Sequence, residues 1–258
     1  EGGWGSTSMD SLQVVLDAVA QEVGSHFPGR NLATIQVVAA GNNPMVLFDK
    51  GDNGEYVVQL SARDGRWYQF VYQFGHELCH IYSNYDNKES RGGTVVTHNQ
   101  WFEESLCEAA ALYTLRRMAS KWEFNAPTTE WAAYAPTFRQ YADLLLGQAH
   151  RKLPQQVILP TWFRENHPAM AANPYLRDKD EVVSNILLPL FEQNPDDWGA
   201  IAYLNADKND ASLGFKDYLE AWCEACPQRY RTVVDKIIAL FTPPPPAGQM
   251  QTAAGIKL

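Results

Sequence analysis

The chain has few residues of the kinds that define several common protein classes. It contains four cysteines in 258 residues, which is too few for a small disulfide-stapled scaffold. No run of about 18 apolar residues occurs, so the sequence predicts no membrane span. The 21 lysines and arginines are outnumbered by 30 aspartates and glutamates, and the formal net charge of -9 argues against nucleic acid and anionic membrane surfaces as partners. The 45% of hydrophobic residues is an ordinary globular share.

The four cysteines form two pairs in the sequence. Cys223 and Cys226 are spaced as C-x-x-C, but they end a helical pattern without the preceding strand of a redox motif, so a structural role is favoured. Cys79 and Cys107 lie in two predicted helices that a disulfide could bridge. This second pair, together with eight tryptophans, favours an exported protein, periplasmic or secreted, over a cytoplasmic one.

The hydrophobic pattern predicts an α+β fold, with a small N-terminal sheet followed by a mostly helical half. A first helix is predicted over residues 9–24, and strands over 34–40, 45–48 and 56–60, the last two as a hairpin. A helix over residues 65–82 follows, with Asp64 as its predicted N-cap. Further helices are predicted near residues 100–120, 129–149, 161–171, 179–193, 195–204, 213–225 and 228–241.

This order of elements predicts one unit with two lobes and a tail. The N-terminal α/β lobe covers residues 1–98, and the helical lobe covers residues 99–242. Four consecutive prolines stop the last helix, and residues 243–258 are predicted to be a proline-rich stop with a flexible tail.

The most informative motif is His76-Glu77-Leu78-Cys79-His80 in the helix that ends the first lobe. Residues four apart on a helix lie one above the other, so His76 and His80 present their imidazoles to the same point. Two neutral imidazoles with a carboxylate beside them form half of a catalytic zinc site. The opposite, apolar side of this helix should pack on the sheet, and it consists of Phe70, Val71, Phe74, Leu78 and Ile81.

Two carboxylates follow on the next predicted helix. Glu104 and Glu108 are one turn apart in an otherwise apolar stripe, where like charges repel and unpaired burial is costly. A dication held by His76 and His80 would offset them, with Glu104 as the third ligand. Glu108 could then accept the N–H of a ligating histidine and fix its tautomer.

The remaining charges of this helix are predicted to lie elsewhere. Glu103 points about 100° away from Glu104 and is predicted to be a solvated surface charge. Arg116 or Arg117 is the alternative partner for the two stacked carboxylates, but both project from other arcs of the same helix. The dication is therefore the favoured partner.

These residues resemble the zincin metallopeptidases, and specifically the gluzincins, whose third zinc ligand is a glutamate on a second helix. Trp101-Phe102-Glu103-Glu104, followed by Glu108, is similar to their Trp-x-x-Glu signature and the acidic residue four positions later. The specific resemblance covers residues 55–115, and the rest of the chain matches only the zincin-like layout. It implies that Zn²⁺ is bound by His76, His80 and Glu104.

The resemblance also implies a hydrolase that cleaves a peptide or protein substrate, with Glu77 as general base and proton shuttle. No Gly-x-Met-Glu-Asn exopeptidase signature occurs, which favours an endopeptidase. The 24-residue separation of His80 from Glu104 is longer than in the aminopeptidases. His98, just before the second helix, is a possible cleft residue. The sequence leaves open which downstream residue holds the oxyanion, and the candidates are His150, His167, Tyr175, Tyr203 and Tyr230.

A rival scheme places the third ligand at Asp86, six residues after His80, as in the metzincin pattern. Ser83 stands where that pattern needs glycine, and no convincing Met-turn follows, so Glu104 is favoured over Asp86. Two other functions also remain. One is an inactive zincin-like scaffold that retains the metal, which would not need to keep Glu77. The other is a helical protein with a coincidental motif, which would leave the Glu104 and Glu108 stripe unexplained.

Overall fold

The computed structural model describes residues 3–41, 43–87, 90–91, 94–95 and 97–243. The predicted C-terminal tail therefore lies, apart from Pro243, outside the described residues. The first helix, α1 (Met9–Gly24), has the predicted bounds. It begins after Ser8, whose hydroxyl accepts a hydrogen bond from the Ser11 N–H, and its periodic apolar residues are buried.

A three-stranded sheet follows α1. Its strands are β1 (Ile35–Ala39), β2 (Met45–Val46) and β3 (Tyr56–Leu60), in the spatial order β1-β3-β2. β1 runs parallel to β3, while β2 pairs antiparallel with β3 in the register Met45 to Gln59 and Val46 to Val58. The predicted hairpin is confirmed, and β2 forms an edge of this sheet.

Helix α2 (Trp67–Tyr82) carries the two histidines. Its predicted apolar side is buried, but the predicted N-cap at Asp64 is wrong. Asp64 and Gly65 both have left-handed φ angles, of 55° and 66°, so the chain turns before the helix begins. Asp64 Oδ1 instead accepts a hydrogen bond from the Ser6 N–H at 2.9 Å.

Helix α3 (Gln100–Asn125) packs along α2 and is the longest described helix. The two helices approach closely at Gly75, where a Cβ atom would lie 3.1 Å from the Thr114 Oγ1. Glycine at this position lets α2 bring His76 and His80 up to the side chains of α3. All four cysteines are free thiols, and Cys79 of α2 and Cys107 of α3 are both buried.

Helices make up most of the remaining chain. They are α4 (Thr129–Leu146), α5 (Leu159–Ala172), α6 (Arg177–Gln193), α7 (Phe215–Ala225) and α8 (Gln228–Phe241). Short 3₁₀ segments lie at Tyr85–Asn87, Ala149–Arg151, Pro195–Tyr203 and Asp210–Ser212, and a second small sheet pairs β4 (Ser90–Arg91) with β5 (Thr94–Val95). The predicted helix at 195–204 is thus 3₁₀ rather than α.

The buried apolar residues form one core that runs through both predicted lobes, from Trp4 to Ile237. A mostly helical chain with a small sheet confirms the α+β prediction at this coarse level. No helix in the described ranges has the combination of length and apolarity that a bilayer crossing needs.

Candidate metal centre

Three side chains from α2 and α3 converge on one point. The Nε2 atoms of His76 and His80 are 3.2 Å apart. Oε2 of Glu104 lies 3.2 Å from the first of them and 3.4 Å from the second. Oε1 of Glu104 accepts a hydrogen bond from Gln100 at 2.8 Å, which holds the carboxylate in this orientation. The three donor atoms form a nearly equilateral triangle that could hold a metal ion.

The size of this triangle fits a small tetrahedral cation. Ligands bound at about 2.0–2.2 Å to a tetrahedral ion are held roughly 3.3–3.6 Å from one another. The observed separations of 3.2, 3.2 and 3.4 Å match that spacing closely. Two imidazoles with one carboxylate are donors that suit zinc and related transition metals better than magnesium or calcium. The residues present therefore fit a divalent transition metal.

The electrostatics of the triangle favour a positive charge. Burial lowers the pKa of His80, but the adjacent Glu104 and Glu103 carboxylates outweigh it and leave this pKa well above its ordinary value. Burial likewise raises the pKa of Glu104, yet His80 and His76 hold it well below the usual range. A divalent cation supplies the favoured positive charge when both imidazoles are neutral.

Glu103 is not the solvated charge that the helical wheel predicts. Its side chain is fully buried, and its Oε1 lies 2.6 Å from Nδ1 of His80. Its Oε2 accepts a hydrogen bond from the Asn205 amide at 2.9 Å. With Glu103 accepting its Nδ1–H, His80 has a free lone pair on Nε2, which faces Glu104.

The sequence did contain a sign that Glu103 is buried. Leu106, Cys107 and Ala110 follow at helical spacing and continue its side of α3 as an apolar stripe. A helix that is apolar on several sides is enclosed by other elements, so its charged residues need partners. The stripe of Glu104 and Glu108 is only one buried side of α3, and the side that carries Glu103 is a second one.

Glu108 is less directly connected to the histidines than the sequence predicts. Its Oε2 lies 3.9 Å from Nδ1 of His76, which is longer than a hydrogen bond. The same carboxylate accepts a hydrogen bond from the Tyr72 hydroxyl and pairs with Arg151 at 2.8 Å. The arginine that faces it therefore comes from beyond α3. The two arginines of α3 pair elsewhere: Arg116 with Asp143 and Glu192, and Arg117 with Glu22.

Asp86 lies outside the triangle of donor atoms. Its carboxylate pairs with Lys50 at 3.2 Å, and the metal-binding group consists of the other three residues. We expect Asp86→Ala to bind as much metal per chain as the native protein, measured by elemental mass spectrometry after dialysis. A clear loss of metal in this variant would favour the rival ligand scheme.

Glu77 lies beside the triangle without belonging to it. Its side chain is buried, and its Oε2 accepts a hydrogen bond from the Val46 N–H of β2 at 2.8 Å. Burial raises the pKa of Glu77, and the nearby His76 and His80 oppose that rise. A carboxylate that is desolvated and held in place next to a metal-binding group is suited to accept and return a proton.

Two cavities, of about 290 and 550 Å³, meet at the triangle. Both are lined by the same central residues, namely Asn43, Pro44, His76, Glu77, Glu104 and Tyr175. The larger cavity continues along β2 to Phe48 and Gln100, and the smaller one continues to Tyr72 and Asp180. The triangle thus lies in the middle of a groove that extends to both sides.

The structure also locates the weaker site candidates of the sequence. His98 is exposed, and its neighbours Thr97 and Gln100 line the larger cavity. Among the five oxyanion candidates, Tyr175 is the one that lines the two cavities at the triangle. His150 pairs with Glu181, and His167 lies in an aromatic cluster with Trp101 and Phe163.

Comparisons of the chain with protein-family models, with curated proteins and with solved structures found no match. The function of the site therefore has to be inferred from its own residues and their geometry.

Proposed function

We propose that this chain is a zinc-dependent peptidase of the zincin-like, gluzincin type, acting as an endopeptidase. The observation that carries the proposal is the triangle of His76, His80 and Glu104, sized for a tetrahedral cation, with a buried glutamate beside it in a groove. With three protein donors, a bound zinc would keep one position for water or substrate, as in catalytic rather than structural zinc sites.

Each nearby residue has a definite task in this proposal. Zinc at the triangle would polarise the scissile carbonyl and lower the pKa of water toward ~7. Glu77 accepts the proton of the attacking water and later donates it to the leaving amine. The hydrogen bond from the Val46 N–H to Oε2 fixes the orientation of the Glu77 carboxylate for this transfer. Glu103 keeps His80 in the tautomer and orientation that the site needs.

The groove favours an extended chain that passes across the site. Met45 and Val46 of the edge strand β2 line the larger cavity, so an extended substrate can lie along this edge next to Glu77, which holds the Val46 N–H. Because cavities lie on both sides of the triangle, the groove has room for residues before and after the cleaved bond. Tyr175, which lines both cavities, is the best-placed hydroxyl to donate a hydrogen bond to the developing oxyanion.

A peptide library tests the proposal directly. The zinc-loaded chain, the chelator-treated chain and the chelated chain with zinc restored are incubated with the same mixture of peptides. We expect internal cleavages, identified by mass spectrometry, in the first and third samples only. A chain that binds zinc but cleaves nothing would support the alternative of an inactive zincin-like protein that binds a partner.

Glu103→Gln should weaken zinc binding without removing it. Glutamine keeps the volume, but it lacks the negative charge that faces Nδ1 of His80. Loss of such a partner behind a ligating histidine typically lowers metal affinity by about 10–100-fold. Competition with a chelator of known zinc affinity measures the change, and thermal unfolding of both proteins checks the fold. An unchanged dissociation constant would show that Glu103 has no positioning role.

A further inference from the structure

A network of four charged groups lies beyond the triangle, and three of them, Glu108, Glu181 and Arg177, line the 290 Å³ cavity. Arg151 Nη2 lies 2.8 Å from Glu108 and 2.7 Å from Glu181, and Arg177 Nε donates a hydrogen bond to Glu181 at 2.7 Å. Arg177 also donates to the Tyr72 hydroxyl at 2.6 Å. Two guanidinium groups thus face two carboxylates, and the network is neutral in itself.

Asp180 is an additional carboxylate that this network does not neutralise. It lines the same cavity, and its side chain is only 4% exposed. Oδ1 of Asp180 is buried without a hydrogen-bond partner, and no ion pair joins this side chain to a cation in the described part of the chain. Proteins seldom leave a buried carboxylate unsatisfied, because burial removes its water without replacing it.

The surroundings of Asp180 make the missing partner a cation. Burial, reinforced by the Glu104 carboxylate, raises the pKa of Asp180 to about 9. The N-terminal turn of α6, to which Asp180 belongs, favours negative charge, but by less than burial opposes it. A positively charged group that enters the cavity would stabilise the ionised carboxylate and gain a charge-assisted hydrogen bond.

We infer, on the basis of the proposed peptidase function, that this cavity is a subsite for a lysine or arginine side chain next to the cleaved bond. Asp180 binds the charged end of that side chain. At ~30 Å³ per water, the 290 Å³ cavity holds about ten waters, far more than a single ammonium group needs. Tyr72 and Tyr175 in its wall can pack against the aliphatic stem.

Arg177 does not cancel this preference. Its guanidinium lines the cavity, but Glu181 and the Tyr72 hydroxyl already accept its hydrogen bonds. Asp180 has no such partner among the described residues. The group in this cavity that lacks a counterpart is therefore a carboxyl that a positive charge would ionise, which selects a basic rather than an acidic side chain.

Paired peptides test the subsite. Peptides cleaved in the library are resynthesised with lysine against norleucine, and arginine against citrulline, at each position beside the cleaved bond. We expect kcat/KM to be about 10–100-fold higher for the basic member at one position, as is typical of a charge-assisted hydrogen bond. N-acetylated versions should be cleaved equally well. A requirement for the free amino terminus would contradict a side-chain subsite.

Asp180→Asn should remove this preference selectively. The variant keeps the side-chain volume, so basic peptides should lose about 10–100-fold in kcat/KM, while their neutral counterparts change by less than about threefold. Asp178→Asn is the matched control, because Asp178 is an exposed carboxylate in the same helical turn. Zinc content and thermal unfolding should match the native protein in both variants.

The possible failures point to different conclusions. Peptide cleavage without a basic preference, or a preference for acidic side chains, would overturn the subsite and leave the peptidase proposal standing. An equal loss for basic and neutral peptides in Asp180→Asn would make Asp180 a structural residue. If the zinc-loaded chain cleaves no peptide at all, the peptidase proposal fails and the subsite fails with it.

Discussion

Replacing Glu77 with glutamine is expected to lower peptide hydrolysis by about 10²–10⁴-fold, the usual contribution of a positioned general base. Glutamine fills the same volume, and its carbonyl oxygen can still accept the hydrogen bond from the Val46 N–H. The amide cannot take a proton from water, so the chemical step is lost while the fold is kept. Initial rates on a peptide from the library, measured together with zinc content, check this expectation.

The zinc content decides how the loss of activity is interpreted. Glu77 lies outside the metal-binding triangle, so the variant should retain about one zinc per chain, as the native protein should. Glu123→Gln is a suitable control, because it makes the same chemical change at an exposed position. Hydrolysis near the native rate in Glu77→Gln would contradict the proposed role of Glu77, whatever metal the chain binds.

Replacing Glu104 with alanine is expected to release the metal. The substitution removes the only carboxylate oxygen of the triangle and leaves two imidazoles, whereas catalytic zinc sites need three protein ligands. The affinity for zinc should therefore fall by more than the roughly 10–100-fold expected for Glu103→Gln. Elemental mass spectrometry, after dialysis against a weak chelator, compares native protein, Glu104→Ala and Glu103→Gln side by side.

Each outcome of the zinc measurement supports a different conclusion. A native chain with about one zinc and a variant with almost none would establish Glu104 as a ligand. Full zinc in Glu104→Ala would require a different third donor. A native chain that takes up no zinc at neutral pH would make the His76 and His80 motif a coincidence, and the peptidase proposal would fall.

The helices were predictable from the sequence because their information is local. The apolar period of 3.6 residues placed α1 at Met9–Gly24, and it placed α8 at Gln228–Phe241 next to its proline-rich end. The start of α2 was harder to predict, because aspartate is a common N-cap residue but Asp64 has a left-handed φ angle. Whether such a residue caps a helix depends on the direction in which the chain arrives.

The main donors of the candidate site were predictable for the same reason. His76 and His80 are one turn apart on α2, so the geometry of the helix alone places their imidazoles together. Glu104 could be inferred because a carboxylate in an apolar stripe needs a positive partner. Convergence of these three side chains in the structure agrees with that inference.

Only the tertiary structure decided which residues support the site. Glu103 reaches His80 because α3 packs on α2, and it reaches Asn205 across 102 residues of sequence. Asp180 enters the groove because the N-terminal end of α6 lines the smaller cavity. Spacing along a helix is set by its covalent geometry, so the sequence alone determines it. The burial of charged residues and the identity of their neighbours depend on contacts between elements far apart in the chain. These contacts arise only when the chain folds.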